Sequence, residues 1–430
     1  MAVTVWLVIF AAIFALGYPI ALGMFVSSVL YFVLKGIALT TILDIMVIQF
    51  ENQFVLLAVP LFIFTAKVMN AARLTDRLFD FAKALVGPVK GGLGHVNIVA
   101  SIIFAGMSGS EIADVAGLGA VEIKAMQDAG YDGPFSCAVT CASATIGPII
   151  PPSIPMVIYA SLSGASTGYL FLGGVIPGLL LGVVLMVLVS ILAHKRNYPV
   201  GEWVSLRGFV KVFLNSFFVI LAPVILLGGI YSGIFTPTEA AGVVSVYVMI
   251  LALYVYRSLG LRSLYKVFVE SVVSTGFVSF IVACSFLFSY VVAREEIPAL
   301  ITKAFLGLGL MNSQWSVLLS LNVLFIILGC FIDVSAILLI IVPIVLPLVE
   351  AAGIDLVHFG VVTVFNLMIA LDTPPYGETT FITSAISGTP LSDVIKEMLK
   401  FIGFEFIALF LITYIPDLVL WLPRMAGYQG

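Results

Sequence analysis

Residues Gly106-Met107-Ser108-Gly109-Ser110, followed by Glu111 and Asp114, interrupt an apolar run spanning 91–128. Residues Ser143-Ala144-Thr145-Ile146-Gly147-Pro148-Ile149-Ile150-Pro151-Pro152-Ser153 interrupt the next run, 134–164. The same succession returns later. Gly329-Cys330-Phe331-Ile332-Asp333-Val334-Ser335 breaks the run 314–349, and Asn366-Leu367-Met368-Ile369-Ala370-Leu371-Asp372-Thr373-Pro374-Pro375 breaks 356–389. Proline removes N–H donors and frees carbonyls upstream, and glycine lets the backbone turn sharply. Non-helical backbone survives at membrane depth only where protein or a water-filled cavity covers it. Runs 91–128 and 314–349, too long for one crossing, therefore read as re-entrant hairpins, and 134–164 and 356–389 as helices broken by Pro-Pro.

The copies align at a constant offset of 223 residues. Gly106–Pro152 lies over Gly329–Pro375 without gaps, with ten of 47 pairs identical, among them Ala129-Gly130/Ala352-Gly353, Asp132/Asp355 and Pro151-Pro152/Pro374-Pro375. Some identity comes free in Ala/Val/Ile-rich chains, but a double proline and an A-G-x-D turn in one register do not. Such self-similarity marks a repeat architecture.

Around these runs the chain has the composition of a membrane protein. Of 430 residues 62% are hydrophobic and 10% charged, with a mean hydropathy of +1.21. Soluble domains are nearer 45–50% apolar and about 25% charged. Nineteen Lys and Arg against 23 Asp and Glu give a net charge of −4, with no basic footprint for nucleic acid. A spanning helix needs roughly 20 mostly apolar residues. Further runs fall at 4–34, 45–66, 169–193, 212–233, 238–256, 267–293 and 401–422. The first is expected to be one retained span, since it has no basic n-region and no small-residue cleavage site.

Positive charge orients the chain. Stretches 67–90, 194–211, 257–266 and 396–400, with Lys124, hold 15 of the 19 Lys and Arg. With those on the cytoplasmic side, the N-terminus is expected inside and the C-terminus outside. Each copy then makes an even number of crossings and 212–233 adds one, so the second copy is inverted. Inverted repeats with discontinuous helices meeting at the midplane belong to secondary transporters. The fold class expected is an all-α polytopic membrane protein of two inverted repeats. Its units are scaffold spans 1–66, a surface arm 67–90 (Ala72–Val86 is amphipathic), and transport unit 91–193. A linker with scaffold spans 194–293, a second arm 294–313, a second transport unit 314–395, and a final span with outer tail 396–430 complete them.

Carbonyls freed at the breaks, with Ser, Thr and Asn side chains, are hard ligands for a small cation. Two clusters suggest two Na⁺ sites, and half-helix N-termini opposite them attract an anion. A Gly-Ser kink can instead serve only helix packing. Intramembrane acids are functional candidates by default: Asp114, Asp333, Asp372 and Glu378 qualify, although each can also cap a helix or pair with a base. Cys137 and Cys141 have i, i+4 spacing but no accompanying His or second Cys pair, so they read as small buried hydrophobes. No Gly-Lys dipeptide or H-E-x-x-H occurs, leaving no P-loop lysine. His95 with Ser108 would be an unsupported base and nucleophile.

The run Phe104–Ser110 through Asp114, then Gly147–Ser153, then Asp372-Thr373-Pro374-Pro375-Tyr376-Gly377, resembles the large membrane subunit of tripartite ATP-independent periplasmic (TRAP) transporters, over nearly the whole chain and most like the unfused sialic-acid members. That resemblance implies an elevator mechanism in the bacterial inner membrane, Na⁺ coupling, a small membrane subunit, a soluble periplasmic binding protein, and lipid around the spans. It implies a first Na⁺ at Gly106, Ser108, Ser143, Gly147 and nearby carbonyls, and a second at Gly329, Asn366, Met368 and Thr373. Ser108, Ser110, Asp114, Ser153 and Ser166 would line a pocket for a hydroxyl-rich carboxylate. The competing readings are a C4-dicarboxylate or other organic-acid permease, a stand-alone anion exchanger, and a membrane-embedded enzyme.

Overall fold

A computed structural model of the protein describes residues 2–201, 204–307, 309–310, 313–375 and 377–430, without the side chains of 49–50. Among the described residues it is helical throughout, with one isolated bridge between Lys90 and Val200. Tyr376 and part of the second arm, 294–313, lie outside the described residues.

Among the described residues eleven α-helices precede the middle of the chain: α1 Ala2–Ala15, α2 Ile20–Lys35, α3 Thr40–Asn52, α4 Ala58–Ala71, α5 Leu74–Val86, α6 Gly92–Ser108, α7 Glu111–Asp114, α8 Ala120–Asp128, α9 Gly133–Ala144, α10 Ile154–Ser163 and α11 Thr167–Arg196. Helix α12, Leu206–Tyr231, follows. Then come α13 Pro237–Ile250, α14 Leu261–Arg294, α15 Ile297–Gly307, α16 Gln314–Gly329, α17 Val334–Ala351, α18 Leu356–Asp372, α19 Glu378–Ser387, α20 Leu391–Tyr414 and α21 Asp417–Met425.

Run 4–34 is not one span. Gly17, with φ of 77°, and Pro19, the N-cap of α2, break it into α1 and α2. The pair folds back on itself, with Gly23 of α2 against Phe10 and Ile13 of α1. At 1.5 Å per residue, the 14 residues of α1 cover about 21 Å, short of a roughly 30 Å hydrocarbon core. The start of α1 and Lys35 therefore share one face, where a single span would have set them on opposite faces. Among the described residues six helices are long and apolar enough to cross a bilayer, and α20 with α21, bent by 56°, makes a seventh.

Both long central runs are broken. Helix α6 stops at Ser108 before α7, and α16 stops at Gly329 before α17. The offset of 223 carries α7 through α8 (111–128) onto α17 (334–351). Capping chemistry follows the same offset. Ser110 caps α7 through Ala113 N, and Asp333 caps α17 through Ser335 N and Ala336 N. Asp132 caps α9 through Phe135 N, and Asp355 caps α18 through Val357 N and His358 N. Each side-chain oxygen satisfies N–H groups that the first helical turn leaves unpaired.

The interior is built around α9 and α18. Every residue from Phe135 to Ala144 and from Val357 to Asp372 is buried. Helices α6, α11, α16 and α20 pack around them. Outside, α2, α4, α12, α13 and α14 form a second set, joined by α2–α14, α4–α13, α4–α14 and α12–α13 contacts. Their outer surfaces expose large apolar side chains such as Phe217, Val224, Phe268, Val273 and Phe277, as membrane-facing helices do. The amphipathic stretch read at 72–86 is α5, whose Leu74, Leu78, Phe79 and Ala82 are buried where it packs against α6 and α12.

Candidate functional site

The first hairpin tip is seated in the first break. Gly109 turns the chain with φ of 61°, and its carbonyl accepts from Ile154 N at 3.3 Å. A Cβ on Gly109 would stand 2.7 Å from the Pro152 carbonyl oxygen. Gly147 lies against the Ser110 backbone. Ser153 caps α10 by accepting from Met156 N. Ser110 and Ser153 act as acceptors in these caps, which leaves each O–H able to donate to a ligand. Gly106 abuts Pro223 of α12, so the hairpin also touches the outer helices. Ser166 stands apart, exposed at the start of α11 and making no capping bond.

Ser108 Oγ is buried and has no hydrogen-bond partner. Behind it runs a buried polar chain. Ser143 donates to Asn97 Oδ1 at 2.5 Å, and Ser101 donates to Ser143 Oγ at 3.1 Å. Asn97 Nδ2 donates to Glu122 Oε2 at 2.9 Å and to Thr140 Oγ1 at 2.7 Å. Asp114, 1% exposed, faces Ser101 and keeps Oδ2 without a partner. Beyond it the helix widens by a π-turn at Val115–Gly119, a device that recurs at functional positions.

The second hairpin and break meet in the same way. Gly329 rests on Ala370 so closely that a Cβ would collide. Asn366 Nδ2 donates to Asn322 O at 3.0 Å and to Asn322 Oδ1 at 2.8 Å, and Asn322 Nδ2 donates to Thr413 Oγ1 at 3.1 Å. Asn366 Oδ1 is buried and unpartnered. Met368 is buried in α18. Thr373 donates to the Ile369 carbonyl at 2.7 Å. Ser143 and Asn366, 223 residues apart, are each anchored by an Asn on the hairpin's first helix, Asn97 on α6 and Asn322 on α16.

The other readings resolve individually. Asp333 is a cap, while Asp372 is held by Thr379. Cys137 and Cys141 are buried free thiols against Ser387 and Thr383. His95 pairs with Ser190. Asn97, Asn322, Glu122 and Glu405 were not singled out in the sequence, and Glu111 was noted beside the first turn without a role. For the three acids the signal was present, since each is a carboxyl within an otherwise apolar run. A cavity of about 360 Å³ lies between α3 and α14 on one side and α10 and α17 on the other, with Gln53, Ser161, Ser289 and Pro343 in its wall.

These features define a polytopic α-helical membrane protein whose polar sites are built at two hairpin tips, each set into a proline break. Comparison with known proteins gives the family. Residues 7–418 match the tripartite ATP-independent periplasmic transporter, DctM component, and the chain belongs to that family. It is a permease component, not an enzyme. Over 378 residues it is 43% identical to the sialic acid TRAP transporter large permease protein SiaM of Vibrio cholerae, covering 88% of each chain. It is 41% identical over 385 residues to the C4-dicarboxylate TRAP transporter large permease protein DctM of Pseudomonas aeruginosa, covering 90% of each. Among solved structures, the YdaH transporter of Alcanivorax borkumensis shares the fold with a TM-score of 0.65 at 13% identity, over 90% of this chain and 89% of that one.

Proposed function

We propose that this TRAP large permease is a Na⁺-coupled importer that moves an anionic sugar acid of the sialic-acid class into the cytoplasm. Na⁺ is a co-substrate in this reading. The observation that carries it is a pair of buried oxygens without hydrogen-bond partners, Ser108 Oγ and Asn366 Oδ1, one at each tip-and-break junction. Leaving a buried polar atom unsatisfied costs about 1–3 kcal/mol, and a bound cation would relieve it at both places. Gly106, Ser143 and Gly147 would complete the first Na⁺ site, and Gly329, Met368 and Thr373 the second.

The free O–H groups of Ser110 and Ser153 and the unpartnered Asp114 oxygen suit a cargo rich in hydroxyls with one carboxylate. Identity to the sialic-acid and dicarboxylate relatives is nearly equal, so the choice rests on pocket chemistry. Asp114 offers an acceptor for a hydroxyl and no cation to pair a second carboxylate. Ser166, exposed and apart, is not assigned to the pocket.

Transport by an elevator movement of the interior helices against the outer set is supported by the cavity between α10–α17 and α3–α14. The repeat reads as inverted, and the folded-back pair α1–α2 then occupies in the first half the place of α12–α13 in the second. With the basic stretches in the cytoplasm of an inner-membrane protein, Lys35 and the start of α1 lie outside, as does the C-terminal end. A small membrane subunit would extend the outer set, and a periplasmic binding protein would deliver the cargo.

Uptake by proteoliposomes holding this chain and its small subunit, with the binding protein added, tests the reading. Uptake of labelled sialic acid should require external Na⁺ and fall in Asp114→Ala without loss of assembly. Full uptake with K⁺ replacing Na⁺ would refute the coupling. Stronger competition by a C4-dicarboxylate than by unlabelled sialic acid would favour the dicarboxylate reading.

A further inference from the structure

Helix α4 carries three polar side chains, and each goes to a different neighbour. Thr65 Oγ1 pairs with Ser245 Oγ of α13 at 2.8 Å. Lys67 Nζ donates to the Glu270 carbonyl and to Ser274 Oγ of α14, both at 2.8 Å. Those bonds tie α4 into the outer set. Asn70, near the end of the helix, turns to the first hairpin instead. Its Nδ2 donates to the Ala113 carbonyl at 3.4 Å. Its amide also rests on the π-turn, where a Cβ on Gly117 would stand 2.5 Å from both Oδ1 and Nδ2. Oδ1 itself is buried without a partner.

Among the described residues this is the one hydrogen bond between the outer set (α2, α4, α12, α13, α14) and either hairpin (α6–α8, α16–α17). The other close approach, Gly106 against Pro223 of α12, is apolar. Apolar contact tolerates sliding, whereas a hydrogen bond is directional and is lost within roughly 1 Å of displacement. We propose that Asn70 is a catch. Fixed on the outer set, it sets the register at which the first hairpin rests, and it lets go when the hairpin slides. The inference rests on the elevator movement proposed above. Asn70 is a positioning residue in this scheme, acting through the Ala113 carbonyl and not on cargo or Na⁺. A single neutral bond, with Oδ1 left idle, is weak enough to break in every cycle.

Nitroxide labels at Tyr265 of α14 and Leu399 of α20, both exposed, report the separation of the outer and inner helices. The full chain with its small subunit is measured in lipid, in Na⁺ or choline, with and without sialic acid. Wild type should show two populations of distance. Asn70→Ala and Asn70→Leu should each move their ratio about two- to tenfold away from the separation found here, the worth of one neutral hydrogen bond. Leucine keeps the bulk and loses only the donor, so a wild-type ratio in Asn70→Leu overturns the proposal. Gly117→Ala pushes the amide off from the hairpin's side and should move the ratio the same way. It decides the matter where the Asn70 variants do not fold, since an unshifted ratio there overturns the catch as well. Two populations that no variant shifts leave the elevator reading standing without the catch. One distance in wild type under every condition overturns the elevator reading, and the catch with it.

Discussion

Replacing Ser108 by Ala should move stability in opposite directions with and without Na⁺. Ser108 is 0% exposed and its hydroxyl has no partner. Without Na⁺ that oxygen is a liability of about 1–3 kcal/mol, and Ser108→Ala removes it while deleting one small atom. The variant should then be as stable as wild type or more stable. With Na⁺ the order reverses. A ligand at one hundred times its Kd stabilises the folded state by about 2.7 kcal/mol, and the variant, lacking a ligand oxygen, should gain much less. Unfolding entropy of about 2.1 cal/mol/K per residue over 430 residues makes each kcal/mol worth about 1 °C. The assay is thermal unfolding of the purified protein in a Na⁺ series balanced with choline. The wild-type and variant curves should cross. A variant that is less stable without Na⁺ and keeps the full wild-type increment would refute the placement of Na⁺ at Ser108.

Gly109→Ala should cost more stability than Gly164→Ala. Both glycines have positive φ, 61° and 72°, a strain of roughly 1–2 kcal/mol for Ala, but only at Gly109 does the Cβ press on a backbone oxygen, Pro152 O; equal melting temperatures would argue against a seated tip. Arg196→Gln breaks ion pairs to Asp132 at 2.8 Å and to Glu397 at 2.5 Å. With Glu397 only 8% exposed and still held by Lys400, the loss should be about 1–3 kcal/mol, against about 0.5 or less for Lys266→Gln at an exposed pair, read by denaturation of the two variants side by side. Asn97→Ala should both destabilise the protein, by about 1–3 kcal/mol because Glu122 loses its donor, and weaken the Na⁺ increment through Ser143. An Asn97→Ala protein that melts like wild type would remove the polar chain from the account.

The helix breaks were legible because Gly, Pro and hydroxyl residues inside long apolar runs have few meanings at membrane depth. A constant offset between two such places turned local signals into an architecture. The misreading of 4–34 came from weighing apolar length above local chemistry. Leu16-Gly17-Tyr18-Pro19 is a turn signal of its own, and a helix continuing into Pro19 would lose a backbone bond. Ser166 shows a different limit. It shares a residue type with Ser108 and Ser153, but the sequence does not say which direction a loop serine faces.

Acids such as Glu111 and Glu405 were hard to weigh for a deeper reason, because the repeat itself steers attention to positions that have a counterpart. The offset of 223 pairs Glu111 with Val334, Asp372 with Ile149 and Glu405 with Gly182, so none has an acidic counterpart. The two halves share element boundaries, caps and an Asn-anchored break, yet their buried acids, Glu111, Asp114 and Glu122 in the first half and Asp372 and Glu405 in the second, do not match across the offset. A pseudo-symmetric frame whose buried acids do not match across the offset gives the two halves different chemistry.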